Sequence, residues 1–171
     1  MANYRNLIPI ILNLEGGFSN NSSDSGGATM KGVTLSTYKD FCRMKGKPEP
    51  TVRELRNISD KEWEEIFKLL YWDKWQADKI NNQSIANFLV DWLWNSGKYG
   101  IVIPQKVLNV TQDGVVGKVT LWAINSSNQR HLFSLLKAAR LEYVRELVNK
   151  NQSQQKFLKG WENRINSFSY F

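Results

Sequence analysis

A chain of 171 residues, 42% hydrophobic and 12% aromatic, is long enough for one well-cored domain, or one domain with a small appended module. The formal net charge is +7, and it is uneven: residues 1–100 hold 13 Lys and Arg against 12 Asp and Glu, whereas residues 101–171 hold 10 against 4. A single cysteine, Cys42, excludes an intramolecular disulfide and a thiolate metal site, and a single histidine, His131, leaves a Cys–His dyad without any orienting group.

The apolar stretch over residues 7–12 is short, is broken by Pro9 and has no small-residue cleavage site after it. No run reaches membrane-spanning length. The expectation is a protein made in the cytoplasm without a signal peptide and without stable membrane insertion. Leu7, Ile10, Ile11 and Leu14 recur at helical spacing and predict a first helix over residues 4–14, stopped by Gly16-Gly17. Glu15 then sits at the carboxyl end of that helix. The negative helix end disfavours a carboxylate, which suits a proton donor; a glutamate that simply points to water is the other reading.

Residues 20–27 are almost all Asn, Ser, Asp and Gly and predict a loop carrying Asp24. Residues 29–34 predict a short strand that forms a hairpin with the loop's other limb. An acid at a helix end beside a glycine-rich loop with a second carboxylate is a workable layout for cleaving a glycosidic bond. That chemistry needs a proton donor for the leaving oxygen and a group that orients water or stabilises the developing cation. Glycines in the loop let backbone approach a bulky sugar.

A helix over residues 36–45 and a turn over 45–50 follow. Two capping-box patterns come next, Thr51…Glu54 and Ser59…Glu62; the second opens a helix carrying Trp63, Ile66, Phe67 and Leu70. Residues 71–75 are unusually aromatic. Residues 82–96 predict a buried helix with Ile85, Phe88, Leu89, Trp92 and Leu93 inward, stopped by Gly97. On it Asp91 and Asn95 share one face, where they either line a sugar cleft or hydrogen-bond inside the domain. Beyond Gly100 the pattern predicts a helix over 101–108, a glycine turn over 112–117, a helix over 118–125 and a long amphipathic helix with a basic outer face over 133–148. A last helix over 154–168 packs Phe157 and Trp161 back on the domain. With no Pro- or Ser-rich linker, the halves are expected to pack together as one mostly helical unit. For the seven tryptophans, core packing is favoured over sugar stacking.

The order Glu15-Gly16-Gly17-Phe18, Asp24, Gly26-Gly27, Thr29 and Gly32-Val33-Thr34 resembles the N-acetylmuramidases of glycoside hydrolase family 108, whose layout is similar to that of phage-type lysozymes. The resemblance continues through Tyr71-Trp72 and Asp91…Asn95-Ser96-Gly97. The C-terminal half is similar to the predicted peptidoglycan-binding region that accompanies this family, through Gln105, Leu108, Asp113-Gly114, Gly117, Thr120, Phe157, Gly160-Trp161 and Arg164.

The resemblance implies a mainly α, lysozyme-like α+β fold with a small β-hairpin next to the catalytic helix end. It implies a catalytic region over residues 1–99 and a helical peptidoglycan-binding region over 100–171 packed on it. The implied reaction is hydrolysis of the β-1,4 bond between N-acetylmuramic acid and N-acetylglucosamine, by an inverting course. Glu15 is the implied general acid, Asp24 and Thr29 position water, and Gly27, Tyr71, Asp91 and Asn95 bind substrate; no metal or organic cofactor is implied. Peptidoglycan glycan strands are the expected partner of a monomer that leaves the cell by a holin or secretion system and acts on the wall. The basic C-terminal half suits an acidic wall. Nucleic acid is not an expected partner, because the sequence shows no helix-turn-helix or zinc pattern and its basic residues are scattered. A non-catalytic wall-binding or structural module of the same fold is the rival reading, and chitin is a second substrate with the same chemistry.

Overall fold

Pro9 decides where the first helix begins. Inside a continuous helix a proline removes one hydrogen bond and crowds the carbonyl four residues back. The expected helix over residues 4–14 is instead a 3-10 turn, Tyr4–Asn6, followed by α1, Ile8–Leu14, with Pro9 in its first turn. The computed structural model describes residues 1–20 and 27–171. Two compact units make up the chain: Arg5–Asp73, and Met1–Tyr4 with Lys74–Phe171.

The first unit holds α1, a sheet of β1 (Phe18–Asn20), β2 (Ala28–Met30) and β3 (Val33–Thr34), and the helices α2 (Leu35–Met44), α3 (Val52–Arg56) and α4 (Asp60–Phe67). The strands run antiparallel in the order β1-β2-β3, with Ser19 opposite Thr29 and Thr29 opposite Thr34. The stretch expected as one strand is thus two, joined by Lys31-Gly32. Both linking residues have positive φ, 48° and 80°, the mirror-image turn whose twist matches that of paired strands. Lysine is a poor residue for that conformation, and tertiary bonds hold it there. Trp63 Nε1 donates to the Lys31 carbonyl at 3.0 Å, and Lys31 Nζ reaches Asp60 at 2.8 Å.

The caps follow the sequence in part. Thr51 and Glu54 complete their reciprocal box. Ser59 accepts from the Glu62 backbone N–H at 3.1 Å, but the Glu62 carboxylate turns away to accept from Tyr38 Oη and Lys47 Nζ, both at 2.9 Å. The second box is traded for a tie between α4 and α2. The core of this unit is Leu7, Ile11, Phe41, Leu55, Ile66, Phe67 and Trp72, all fully buried.

The second unit is built around α5, Gln83–Ser96, with α6 (Tyr99–Val107), α7 (Lys118–Ser126), α8 (Gln129–Lys150) and α9 (Gln155–Ser167). Every residue of α5 from Ser84 to Leu93 is buried, as expected of a helix enclosed on all sides. Phe88 lies at the middle of an aromatic cluster, with ring centroids 5.3 Å from Phe133, 5.8 Å from Phe168 and 6.1 Å from Trp92. Polar residues on α5 are satisfied within the unit: Ser84 exchanges hydrogen bonds with the Phe171 backbone, and Gln83 donates to Asn87 at 2.7 Å. The N-terminus is tied in by the Ala2 N–H on the Ile80 carbonyl. Phe157, expected to pack inward, is 43% exposed and leans on the half-buried Trp161 ring at 5.9 Å. Four tryptophans, Trp63, Trp72, Trp75 and Trp92, are buried, and Trp122 is 72% exposed.

Gly97, with φ 56°, ends α5, and α6 begins two residues later. A Cβ on Gly100 would lie 2.4 Å from the Leu93 backbone nitrogen, so the turn between α5 and α6 closes only on glycine. Gly160, inside α9, has no atom within 4 Å of its would-be Cβ. Gly100→Ala should therefore cost about 3 kcal/mol or more, whereas Gly160→Ala should gain about 1 kcal/mol from helix propensity. Urea denaturation of the two variants beside wild type checks both signs.

Candidate functional site

Glu15 is the C-cap of α1, partly buried, with extended backbone (φ −95°, ψ 150°) and its N–H bonded to the Ile11 carbonyl at 3.0 Å. Only Gly16-Gly17 separates it from β1. The Gly17 carbonyl accepts from the Lys31 N–H at 3.4 Å, which anchors this link against the β2–β3 turn. Thr29, partly buried in the central strand, lies between Ser19 and Thr34, and Ser19 is four residues from Glu15. Gly27 is exposed and has φ 64°, a left-handed conformation that other residues adopt only with strain. Asp24 and Gly26 lie outside the described residues.

Tyr71 belongs to the same unit and stands on a π-helical turn, Lys68–Trp72, closed by the Asp73 N–H on the Lys68 carbonyl at 2.8 Å. The sequence carries no pattern that announces this turn. Such turns are rare and occur often at functional sites. Burial pushes the Tyr71 hydroxyl up from its ordinary range, against a hydrogen bond with Thr37.

Asp91 and Asn95 are in the other unit. Asp91 has no exposed surface, and its carboxylate is shared between Arg140 Nη2 at 2.8 Å and Arg164 Nη2 at 2.7 Å. Of its two readings, the hydrogen bonds described are those inside its unit. Asn95 is one turn along; with its amide oxygen toward Arg164 it accepts from Nε at 2.8 Å and from Nη2 at 3.1 Å. Arg140 is 3% exposed and sits over the Phe88 and Trp92 rings, 5.2 and 5.8 Å from their centroids. Burial is the largest influence on Arg140 and lowers its affinity for the proton, while Asp91 acts the other way. The Arg140 partnership was not legible in the sequence, because Arg140 lies mid-helix in a basic stretch that reads as a solvated face.

The motif residues of the C-terminal half do structural work. Buried Gln105 donates from Nε2 to Asp113 at 2.9 Å and to the Val115 carbonyl at 3.0 Å, and it accepts from the Gly114 N–H at 2.9 Å. Asp113 accepts from the Val115 N–H at 2.9 Å, and this bond holds its carboxyl below the usual range. One amide thus clamps the Asp113-Gly114 turn to α6 and leads the chain into α7. Among the described residues no group of three or more His, Cys, Asp or Glu side chains could hold a metal, and no helix is long and apolar enough to cross a membrane.

Removing the buried carboxylate charge leaves two guanidinium groups without their shared partner. Asp91→Asn should cost about 3–5 kcal/mol, read as a lower denaturation midpoint with an unchanged denaturant slope.

Comparison with known proteins joins these observations. The glycosyl hydrolase 108 family matches residues 8–97, more than half of the chain, and a predicted peptidoglycan domain matches residues 99–166. Among solved structures, Brucella abortus SagA superposes with a TM-score of 0.75 at 25% identity, over 97% of this chain and 95% of that one. No match was found among curated proteins. The fold is lysozyme-like, mostly helical with one small antiparallel sheet. The chain belongs to the glycosyl hydrolase 108 family.

Proposed function

We propose that this glycoside hydrolase of peptidoglycan is an N-acetylmuramidase in which Glu15 protonates the glycosidic oxygen between N-acetylmuramic acid and N-acetylglucosamine. The observation that carries the reading is the position of Glu15 within the family match: it caps α1, and a two-glycine link joins it directly to the sheet. Rigid elements on both sides fix the acid relative to the strand that carries Thr29. Water attacks the anomeric carbon from the opposite face, guided by Asp24 with the Thr29 hydroxyl. Gly27 leaves room for the sugar, and Tyr71 offers an aromatic face to it. A single displacement inverts the anomeric centre and needs the two carboxyl groups roughly 6.5–9.5 Å apart, whereas a covalent intermediate needs about 5 Å. In the second unit Asn95 is the residue proposed to meet the glycan, and Asp91 acts on it through Arg164. The predicted peptidoglycan domain lies in the basic part of the chain, where long-range attraction to wall carboxylates raises the local enzyme concentration. The remaining assignments, a monomer that reaches the wall through a holin or a secretion system, follow from this reading.

Purified peptidoglycan treated with wild type and Glu15→Gln tests the assignment. Wild type should clear turbidity and release muropeptides with reducing N-acetylmuramic acid ends, by mass spectrometry. Glu15→Gln should lose at least ~10²-fold in rate with its thermal midpoint intact. Equal lysis by both proteins removes Glu15 from the role. Thr29→Val should lose roughly ten-fold, the value of one hydrogen bond to the attacking water; a full-rate variant sinks its part in the mechanism.

A further inference from the structure

Beside the Asp91 cluster lies a cleft of about 110 Å³ between the end of α5, α8 and α9. Its polar lining is Asn95, Ser96, Arg140, Tyr143 and Arg164; Trp161 and Leu147 are among the residues that complete it. All of these belong to one unit.

Arg140 is the unusual element of this lining. Its side chain is 3% exposed, Nη2 is bonded to Asp91, and Nη1 has no hydrogen-bond partner among the described residues. A buried unpaired N–H costs free energy, more so on a charged group. The Phe88 and Trp92 rings offer that guanidinium a cation–π contact, but no acceptor oxygen. Asp91 brings one negative charge and divides it between two arginines. What the cleft lacks is therefore an anion with an acceptor oxygen.

Size and walls narrow the choice. A dry cavity of roughly 150 Å³ accepts benzene, so a cleft of about 110 Å³ suits a group of alanine size. Trp161 and Leu147 supply an apolar wall for a methyl group, and Tyr143 adds a hydroxyl to the lining. We propose that this cleft binds a small terminal carboxylate, the end of a peptidoglycan peptide stem, through Arg140. The choice of stem rests on the peptidoglycan reading above; the anion site rests on the cleft itself.

The experiment follows the Trp161 indole N–H of the full chain by NMR while N-acetyl-D-alanine, its uncharged amide N-acetyl-D-alaninamide, or acetate is added. The acid should give a saturable shift. The amide should bind roughly ten-fold more weakly, having lost a charge-assisted bond. Leu147→Trp fills the cleft while leaving Asp91, Arg140 and Arg164 themselves in place and should abolish the shift, while its unchanged melting temperature shows that the fold persists. Absence of saturation with the acid, equal titration by acid and amide, or unchanged binding by Leu147→Trp overturns the site. Acetate as tight as N-acetyl-D-alanine overturns the peptide-stem assignment, since the cleft then reads charge alone. Turbidity assays on the same samples separate the two proposals. Lysis by wild type with no carboxylate binding sinks only the cleft, and carboxylate binding without lysis sinks only the muramidase reading.

Discussion

One buried carboxylate orders the larger unit. Asp91 stands on α5, the helix enclosed on every side, and it receives Arg140 from α8 and Arg164 from α9. A buried ion pair is weak evidence for net stability, because desolvation of three charges offsets most of the attraction. Its effect is directional. Guanidinium–carboxylate bonds have fixed geometry, so α8 and α9 can each present only one face to α5. An apolar residue at position 91 would pack, but it would not select that rotation. The aromatic shell serves the same end, since the Phe88 and Trp92 rings lie against the guanidinium that Asp91 holds.

The smaller unit solves a different problem, that of holding Glu15 at a defined place between a helix and a short sheet. Gly16-Gly17 ends α1, and the chain turns at once into β1. The sheet is then held by bonds that come from the helices rather than from its own length. Strands of two and three residues are marginal in isolation. Trp63 and Asp60, both from α4, grip the Lys31 turn, and Glu62 ties the same helix to α2. A π-helical turn at the end of α4 then sets Tyr71 against Thr37.

Much of this was legible in the residues. The residue pattern marks α2, α5 and α9 to within a residue or two, and the caps at Thr51 and Ser59 hold where expected. Several departures share a cause: a contact distant in sequence overrides a local rule. Lys31 adopts positive φ because α4 holds it, so one expected strand becomes two. Glu62 leaves its box because Tyr38 and Lys47 bind it more usefully. Phe157 falls on the expected apolar stripe of α9, yet the helix is only partly covered there. Arg140 is the inverse case, a charge in a basic run that the fold encloses. The candidate site was legible through the order of Glu15, the glycines and Thr29, which is a matter of chain order. The arginine pair was not, because nothing local marks which of ten basic residues in the C-terminal stretch will be buried.

The contact at Gly100 bears on how such chains can be shuffled. The family match ends at residue 97 and the peptidoglycan domain begins at 99, which marks a natural-looking seam for recombination. In the folded protein that seam falls at the close turn where Gly100 of α6 lies against the Leu93 backbone of α5. Packing instead divides the chain between Asp73 and Lys74. A C-terminal half moved between relatives would need to carry α5 with it. A graft that starts at residue 99 would leave behind the helix that α6, α8 and α9 fold around.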